Sequence, residues 1–166
     1  MAALTAKSGF APVPSSRSTT IVFFVALVAS ALVLGPALAH VLELPNKIDL
    51  PRDEYFIVQK AYRGWSQIAW VLGVQVIALA AAAIMARAER AVMVLTVLAL
   101  ACVVAAQGLF WALTRPANVA TSNWTVMPDN WESLRLQWEW SHAAGAACQF
   151  LGFCLLASAV LLRNRR

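Results

Sequence analysis

Four stretches of this chain stay apolar for about 20 residues each and hold no Asp, Glu, Lys or Arg: residues 20–39, 68–86, 91–113 and 143–162. A bilayer core of about 30 Å needs roughly that many residues in a helix. Only helices and closed barrels satisfy their backbone groups in lipid, and these runs are continuous rather than alternating, unlike barrel strands. The pattern predicts an all-α, four-helix transmembrane bundle with short surface helices in its two outer loops. Residues 1–19 are expected to be a disordered cytoplasmic segment. Residues 20–166 then form a single membrane domain, with spans at about 20–40, 66–86, 91–113 and 141–162.

The composition agrees: 61% of the residues are hydrophobic and 13% charged, about half the charge of a soluble domain. There is no P-loop, no Gly-x-Gly-x-x-Gly, no Cys-x-x-Cys and no G-x-S-x-G elbow, which argues against a nucleotide-binding enzyme or a zinc ribbon. The net charge of +5 forms no basic stripe interleaved with aromatics, so no nucleic-acid partner is expected. With four spans, both termini share one side with the 87–90 turn. Arg87, Arg90 and Arg163 lie directly at helix ends there, which predicts cytoplasmic termini in an inner (plasma) membrane. Ala37-Leu38-Ala39 also has the form of a signal-peptidase site. Cleavage there would leave His40 as a copper-chelating terminus, but the polar leader before Ile21 is long for a signal peptide.

Gln75, Gln107 and Gln149 are expected to form a hydrogen-bonded layer between helices. Cys102, Cys148 and Cys154 show no metal or redox spacing and are read as small apolar residues. Small-residue faces such as residues 80–83 and 143–147 permit a homo-oligomer or a place in a larger membrane complex.

The outer loops hold the chemistry. Pro45 is expected to end the first helix, and Asp49-Leu50-Pro51-Arg52-Asp53-Glu54 to start a short surface helix. Arg115-Pro116 is expected to end the third helix and Asp129 to cap, or sit in the first turn of, the fourth. All seven Trp fall in the outer half. A one-sided aromatic belt, or a belt plus a ring-lined pocket, would account for them.

The sharpest pattern is His40-Val41-Leu42-Glu43 against Glu139-Trp140-Ser141-His142. On antiparallel helices the two motifs match in depth, each His about 4.5 Å further into the membrane than its Glu. Trp131, Arg135, Trp138, Glu139, His142 and Gln149 also share one helix face, and polar groups at membrane depth usually face inward. Three readings stay open. His40, Glu43, Glu139 and His142 could bind a single transition-metal ion. A His could act as acid or base, with Arg135 stabilising an anion. Or the groups could be structural, with Arg135 paired to Glu139.

These residues carry a resemblance. His40-Val-Leu-Glu-Leu-Pro-Asn46-Lys47, Tyr62-Arg-Gly-Trp65 and Asn123-Trp124 followed by Trp131-x-x-x-Arg135-x-x-Trp138-Glu139-x-x-His142 resemble a family of small four-helix membrane proteins, mostly uncharacterised and related to the anthrone oxygenases. The resemblance implies the fold, and an oxidoreductase that uses dioxygen on a small aromatic or lipophilic molecule with neither metal nor flavin. It implies catalytic roles for His142, His40, Arg135 and Glu139, and ligand contacts at Glu43, Asn46, Asn123, Trp124, Trp131 and Trp138. A membrane protein that binds a ligand or subunit without catalysis is the alternative.

Overall fold

The computed structural model describes residues 17–164. Of the expected N-terminal segment, residues 1–16 lie outside them, and residues 17–19 are helical. Four helices long and apolar enough to cross a membrane dominate the chain. Helix α1 spans Arg17–Lys47. A short α2 (Arg52–Val58) and two 3-10 turns lead into α3 (Ile68–Met85). Helix α4 (Arg90–Leu109) passes through a π turn into α5 (Arg115–Ala120), and α6 spans Trp131–Arg163. There is no strand among the described residues. At 33 residues, α6 is roughly 50 Å long and extends well beyond a bilayer core, as its unbroken sequence predicts.

The helices close a ring in which α1 packs on α3, α3 on α4, α4 on α6 and α6 back on α1. Arg163 donates to the Thr20 hydroxyl, so the two described chain ends lie together. Phe23, Ala26, Leu79, Ala82, Val92, Ala99, Val103, Leu156 and Ala159 are buried between the helices, while Phe24, Ile77, Ile84, Val104 and Leu161 are exposed. An interior of small residues beneath an apolar exterior suits packing in lipid, where close backbone approach replaces the hydrophobic drive. At Gly152 an added Cβ would stand 3.2 Å from the Ala99 carbonyl oxygen and 3.3 Å from Cys102 Cβ, whereas one at Gly145 meets nothing within 4 Å. Gly152→Leu is therefore expected to destabilise by about 1–3 kcal/mol through overpacking. Gly145→Ala should be neutral or stabilising through helix propensity. Thermal unfolding in detergent micelles checks the pair; equal midpoints would show that α4 and α6 do not meet at Gly152.

A polar layer crosses the bundle. Gln75 Nε2 donates to Gln149 Oε1 (3.1 Å) and to Ser30 Oγ (3.2 Å). Ser30 takes the place expected of Gln107, which lies outside this set.

Three helix ends differ from expectation, and the first two differences shape the site. Helix α1 runs through Pro36 and Pro45 to Lys47. Each proline removes one backbone donor; Pro45 lies in the last turn, where a missing bond costs little, and Pro36 lies inside the span, where neighbouring helices and local adjustment make a proline tolerable. The consequence is large, because His40, Glu43 and Lys47 now share a face at i, i+3 and i+7. The third span likewise continues past Arg115-Pro116. The π turn Phe110–Thr114 resets the helical register, and Pro116 falls at the start of α5, where its missing N–H is not needed. Asp129 does not cap α6: Asn130 holds the N-cap position and Glu132 is the first-turn acid.

Candidate functional site

The two histidines meet. The rings of His40 and His142 lie 4.2 Å apart between centroids, at the end of the bundle that carries the 48–67 and 121–130 connections. Trp138 meets His142 at 4.0 Å with the ring planes inclined by 47°, and meets His40 edge-on at 5.1 Å. Tyr62 and Trp65 cover His40 from the other side at 4.6 and 5.4 Å. His142 Nδ1 lies 2.9 Å from the Trp138 carbonyl oxygen. A carbonyl only accepts, so Nδ1 carries the hydrogen and the neutral ring leaves Nε2 with its lone pair.

One turn outward lies an ion cluster, buried at Lys47 and Glu139 and open at Glu43, whose side chain is 44% exposed. Lys47 Nζ stands 3.4 Å from Glu43 and 3.3 Å from Glu139. It also donates to the Tyr62 hydroxyl, which in turn donates to Glu43. The ammonium lies over the Tyr62 and Trp138 rings, 4.6 and 5.1 Å from their centroids. Tyr55 donates to Glu139 Oε1 (2.9 Å) and accepts from Gln59 Nε2 (2.5 Å). Lys47 is 3% exposed and Glu139 1%. Paired and hydrogen-bonded is the state in which buried charges persist. Both phenols are pushed above their ordinary range. For Tyr55 the cause is burial first and the Glu139 charge second; for Tyr62 it is burial first and then the bond to Glu43.

Elements at one end of the bundle build this geometry. Helix α1 brings His40, Glu43 and Lys47; α6 brings Trp138, Glu139 and His142. Helix α2 and the turn after it bring Tyr55, Gln59 and Tyr62 down as a cover. Helix α5 fixes Trp138, whose Nε1 donates to Asn118 Oδ1 (2.9 Å). The π turn joins in through Thr114, whose hydroxyl lies 2.7 Å from that of Ser141.

The expected residues divide. His40, Glu43, Trp138, Glu139 and His142 come together. Arg135 does not pair with Glu139. Its Nη1 donates to the Leu50 carbonyl (2.7 Å), and its guanidinium stacks over Trp131 (4.7 Å) and Tyr55 (5.5 Å). Glu139 has Lys47 instead. Seven residues separate Arg135 from His142, about 10.5 Å along the helix, so a small anion on His142 would not also reach Arg135. Trp124 is buried and meets Tyr55 at 5.1 Å and Trp138 at 6.0 Å; Trp131 lies half-buried beyond Tyr55. Asn46 is exposed at the surface. Asn123 is exposed too, in a run of three left-handed residues, Ser122, Asn123 and Trp124. Such a run costs about 1–2 kcal/mol per residue, and the buried Trp124 ring and its backbone bond to Thr121 Oγ1 hold it in place. The Trp residues split as well. Trp70, Trp111 and Trp140 are exposed on the bundle surface, whereas Trp65, Trp124, Trp131 and Trp138 join the cluster.

Lys47, Tyr55, Gln59, Tyr62 and Asn118 receive no site role from the sequence, although Lys47 and Tyr62 stand in the motifs that carry the resemblance. Ending α1 at Pro45 removed Lys47 from the His40–Glu43 face. Ending the third span at Arg115-Pro116 likewise hid Asn118 on α5, and Tyr55, Gln59 and Tyr62 reach the site through the path of the connection between α1 and α3. The four donors of the metal reading, His40, Glu43, Glu139 and His142, lie in two layers, the ring pair and the ion cluster. Lys47 stands between the two carboxylates, and no group of three His, Cys, Asp or Glu suited to a metal exists among the described residues. A concave surface at this end, a shallow depression of about 460 Å³, lies beside Trp131 and is lined by Pro51, Arg52, Asp53 and Glu54 rather than by the histidines.

Comparison with protein-family models, with curated proteins and with solved structures gave no match. The fold sets the class: four apolar helices of spanning length make this an integral membrane protein.

Proposed function

We propose that this chain belongs with the small four-helix membrane proteins related to the anthrone oxygenases. On this reading it is a cofactor-independent oxidoreductase that oxidises a small aromatic or lipophilic molecule. The observation that carries the reading is the ring contact of His40 and His142 against Trp138, with the His142 ring oriented by the Trp138 carbonyl. His142 Nε2 is the base. It takes a proton from an activated CH₂ group, and the resulting electron-rich anion reduces dioxygen. One oxygen atom ends as a carbonyl on the substrate carbon and the other as water. Trp138, 3% exposed between His40, His142 and Tyr62, gives a planar substrate a ring face only once Tyr62 has moved away. Lys47, held by Glu43 and Glu139, fixes the position of α1 against α6. Substrate enters from the outer leaflet when Tyr62 and Trp65 move aside; Gly64 between them has a φ of +88°, a conformation that L side chains rarely adopt.

The test is oxygen uptake by the purified protein in lipid nanodiscs, with an anthrone as probe. Probe-dependent uptake supports the reading; none above the rate in empty nanodiscs removes it. The exposed Trp70, Trp111 and Trp140 favour one other reading, in which these rings bind a partner subunit and the cluster is structural. Co-purification of a fixed partner without oxygen uptake would select it.

We also propose that the protein sits in the inner (plasma) membrane with both termini cytoplasmic and the His pair at the outer boundary. Arg87, Arg90 and Arg163 at the opposite helix ends support this. Periplasm-active reporter fusions are expected to be silent at both termini and active within residues 48–64; the reverse pattern inverts the topology.

A further inference from the structure

The chain contains two tyrosines. Both lie in the cluster, and each donates its phenolic hydrogen to a glutamate, Tyr55 to Glu139 and Tyr62 to Glu43. Oxidising a phenol by one electron makes it a strong acid, so the proton must leave with the electron, and a hydrogen-bonded carboxylate is where it can go. The aromatic neighbours of these tyrosines are continuous. Half-buried Trp131 meets Tyr55 at 6.2 Å, Tyr55 meets Trp124 at 5.1 Å and Trp124 meets Trp138 at 6.0 Å. Trp138 meets Tyr62 at 5.5 Å, and Tyr62 meets exposed Trp65 at 5.0 Å. The path passes His142, which touches Trp138, and reaches the surface at both ends.

We propose that Tyr55 and Tyr62 are proton-coupled redox tyrosines, joined through Trp124 and Trp138 into a route for one-electron oxidising equivalents between the histidine pair and the protein surface. In each step the phenol gives an electron to a one-electron oxidant, such as an oxygen-centred radical, and its proton to the paired glutamate. The products are a neutral tyrosyl radical, a carboxylic acid and the reduced oxidant. The reverse step returns the electron and the proton. Both phenols are too weakly acidic to ionise first, through burial and their carboxylate partners. The charged and titratable groups facing them are Glu43, Lys47, Glu139, Arg135 and His40. The route does not depend on the oxygenase reading and holds for any oxidant that forms beside Trp138.

Flash-generated tris(bipyridine)ruthenium(III) as oxidant, with electron paramagnetic resonance of the full chain in nanodiscs, tests this. The native protein is expected to give a tyrosyl radical. Tyr55→Phe and Tyr62→Phe should each remove one contribution, and the double variant should leave only tryptophan radicals. Glu139→Gln should slow formation of the Tyr55 radical about tenfold, the weight of one charge-assisted hydrogen bond. Should that variant misfold, the native protein in D₂O is expected to form the radical more slowly than in H₂O. Tryptophan radicals alone in the native protein, a rate unchanged in correctly folded Glu139→Gln, or a rate unchanged in D₂O would each overturn the proposal.

Discussion

Lys47→Met is expected to cost about 3–5 kcal/mol of folding stability, the usual loss when one partner of a buried ion pair is removed. Lys47 is 3% exposed and holds both Glu43 and Glu139. Without it, Glu139 keeps only the Tyr55 bond and sits as an uncompensated carboxylate among rings. Methionine matches the length of the lysine stem, so the loss reports charge rather than volume. The double variant Lys47→Met/Glu139→Gln should recover most of the stability, since an uncharged pair of similar shape can be as stable as the ion pair it replaces. Reversible unfolding in mixed micelles gives both numbers. A single variant within about 1 kcal/mol of the native protein, the scale of an exposed pair, would mean that water reaches the Lys47–Glu139 pair, which is closed to it in the structure.

On the proposed oxygenase reading, His142→Ala is expected to lower turnover by about 10²–10⁴-fold, the usual share of a general base, while the protein still folds. The two effects separate because His142 contributes one hydrogen bond, to its own helix, and one ring face to a stack that keeps Trp138 anchored by Asn118. Oxygen uptake with the anthrone probe measures the first effect and the thermal midpoint the second. Native turnover in a folded His142→Ala would take the base role from this residue. Unfolding of the variant would instead make the His pair structural.

Why the fold was legible while half the site was not comes down to which interactions each depends on. Four uninterrupted apolar runs leave the backbone one solution in lipid, so the spans could be placed from sequence. The mirrored His-x-x-Glu and Glu-x-x-His needed one further condition, that α1 and α6 be neighbours, and the ring of helix contacts supplies it. Proline misled. Pro45 and Pro116 read as stops because they lose a donor, but a helix continues where only one bond is lost or where a π turn shifts the register. Reading Pro45 as a stop hid Lys47, and with Lys47 hidden, Arg135 looked like the natural partner for Glu139. Tyr55, Gln59 and Tyr62 are spaced i, i+4 and i+7, one face of a short helix, but that spacing does not say what the face covers. They arrive through the fold of a connection whose path is fixed by the pairing it makes with α6.

The chain has only two histidines, which makes their contact directly measurable. Solid-state nuclear magnetic resonance on protein labelled with ¹³C and ¹⁵N at histidine alone, in lipid bilayers, would show ring-to-ring cross-peaks from His40 to His142 if the 4.2 Å centroid separation holds in the membrane. Two isolated imidazole spin systems, without exchange of magnetisation at long mixing times, would place the histidines apart and leave the proposed chemistry without its base and platform.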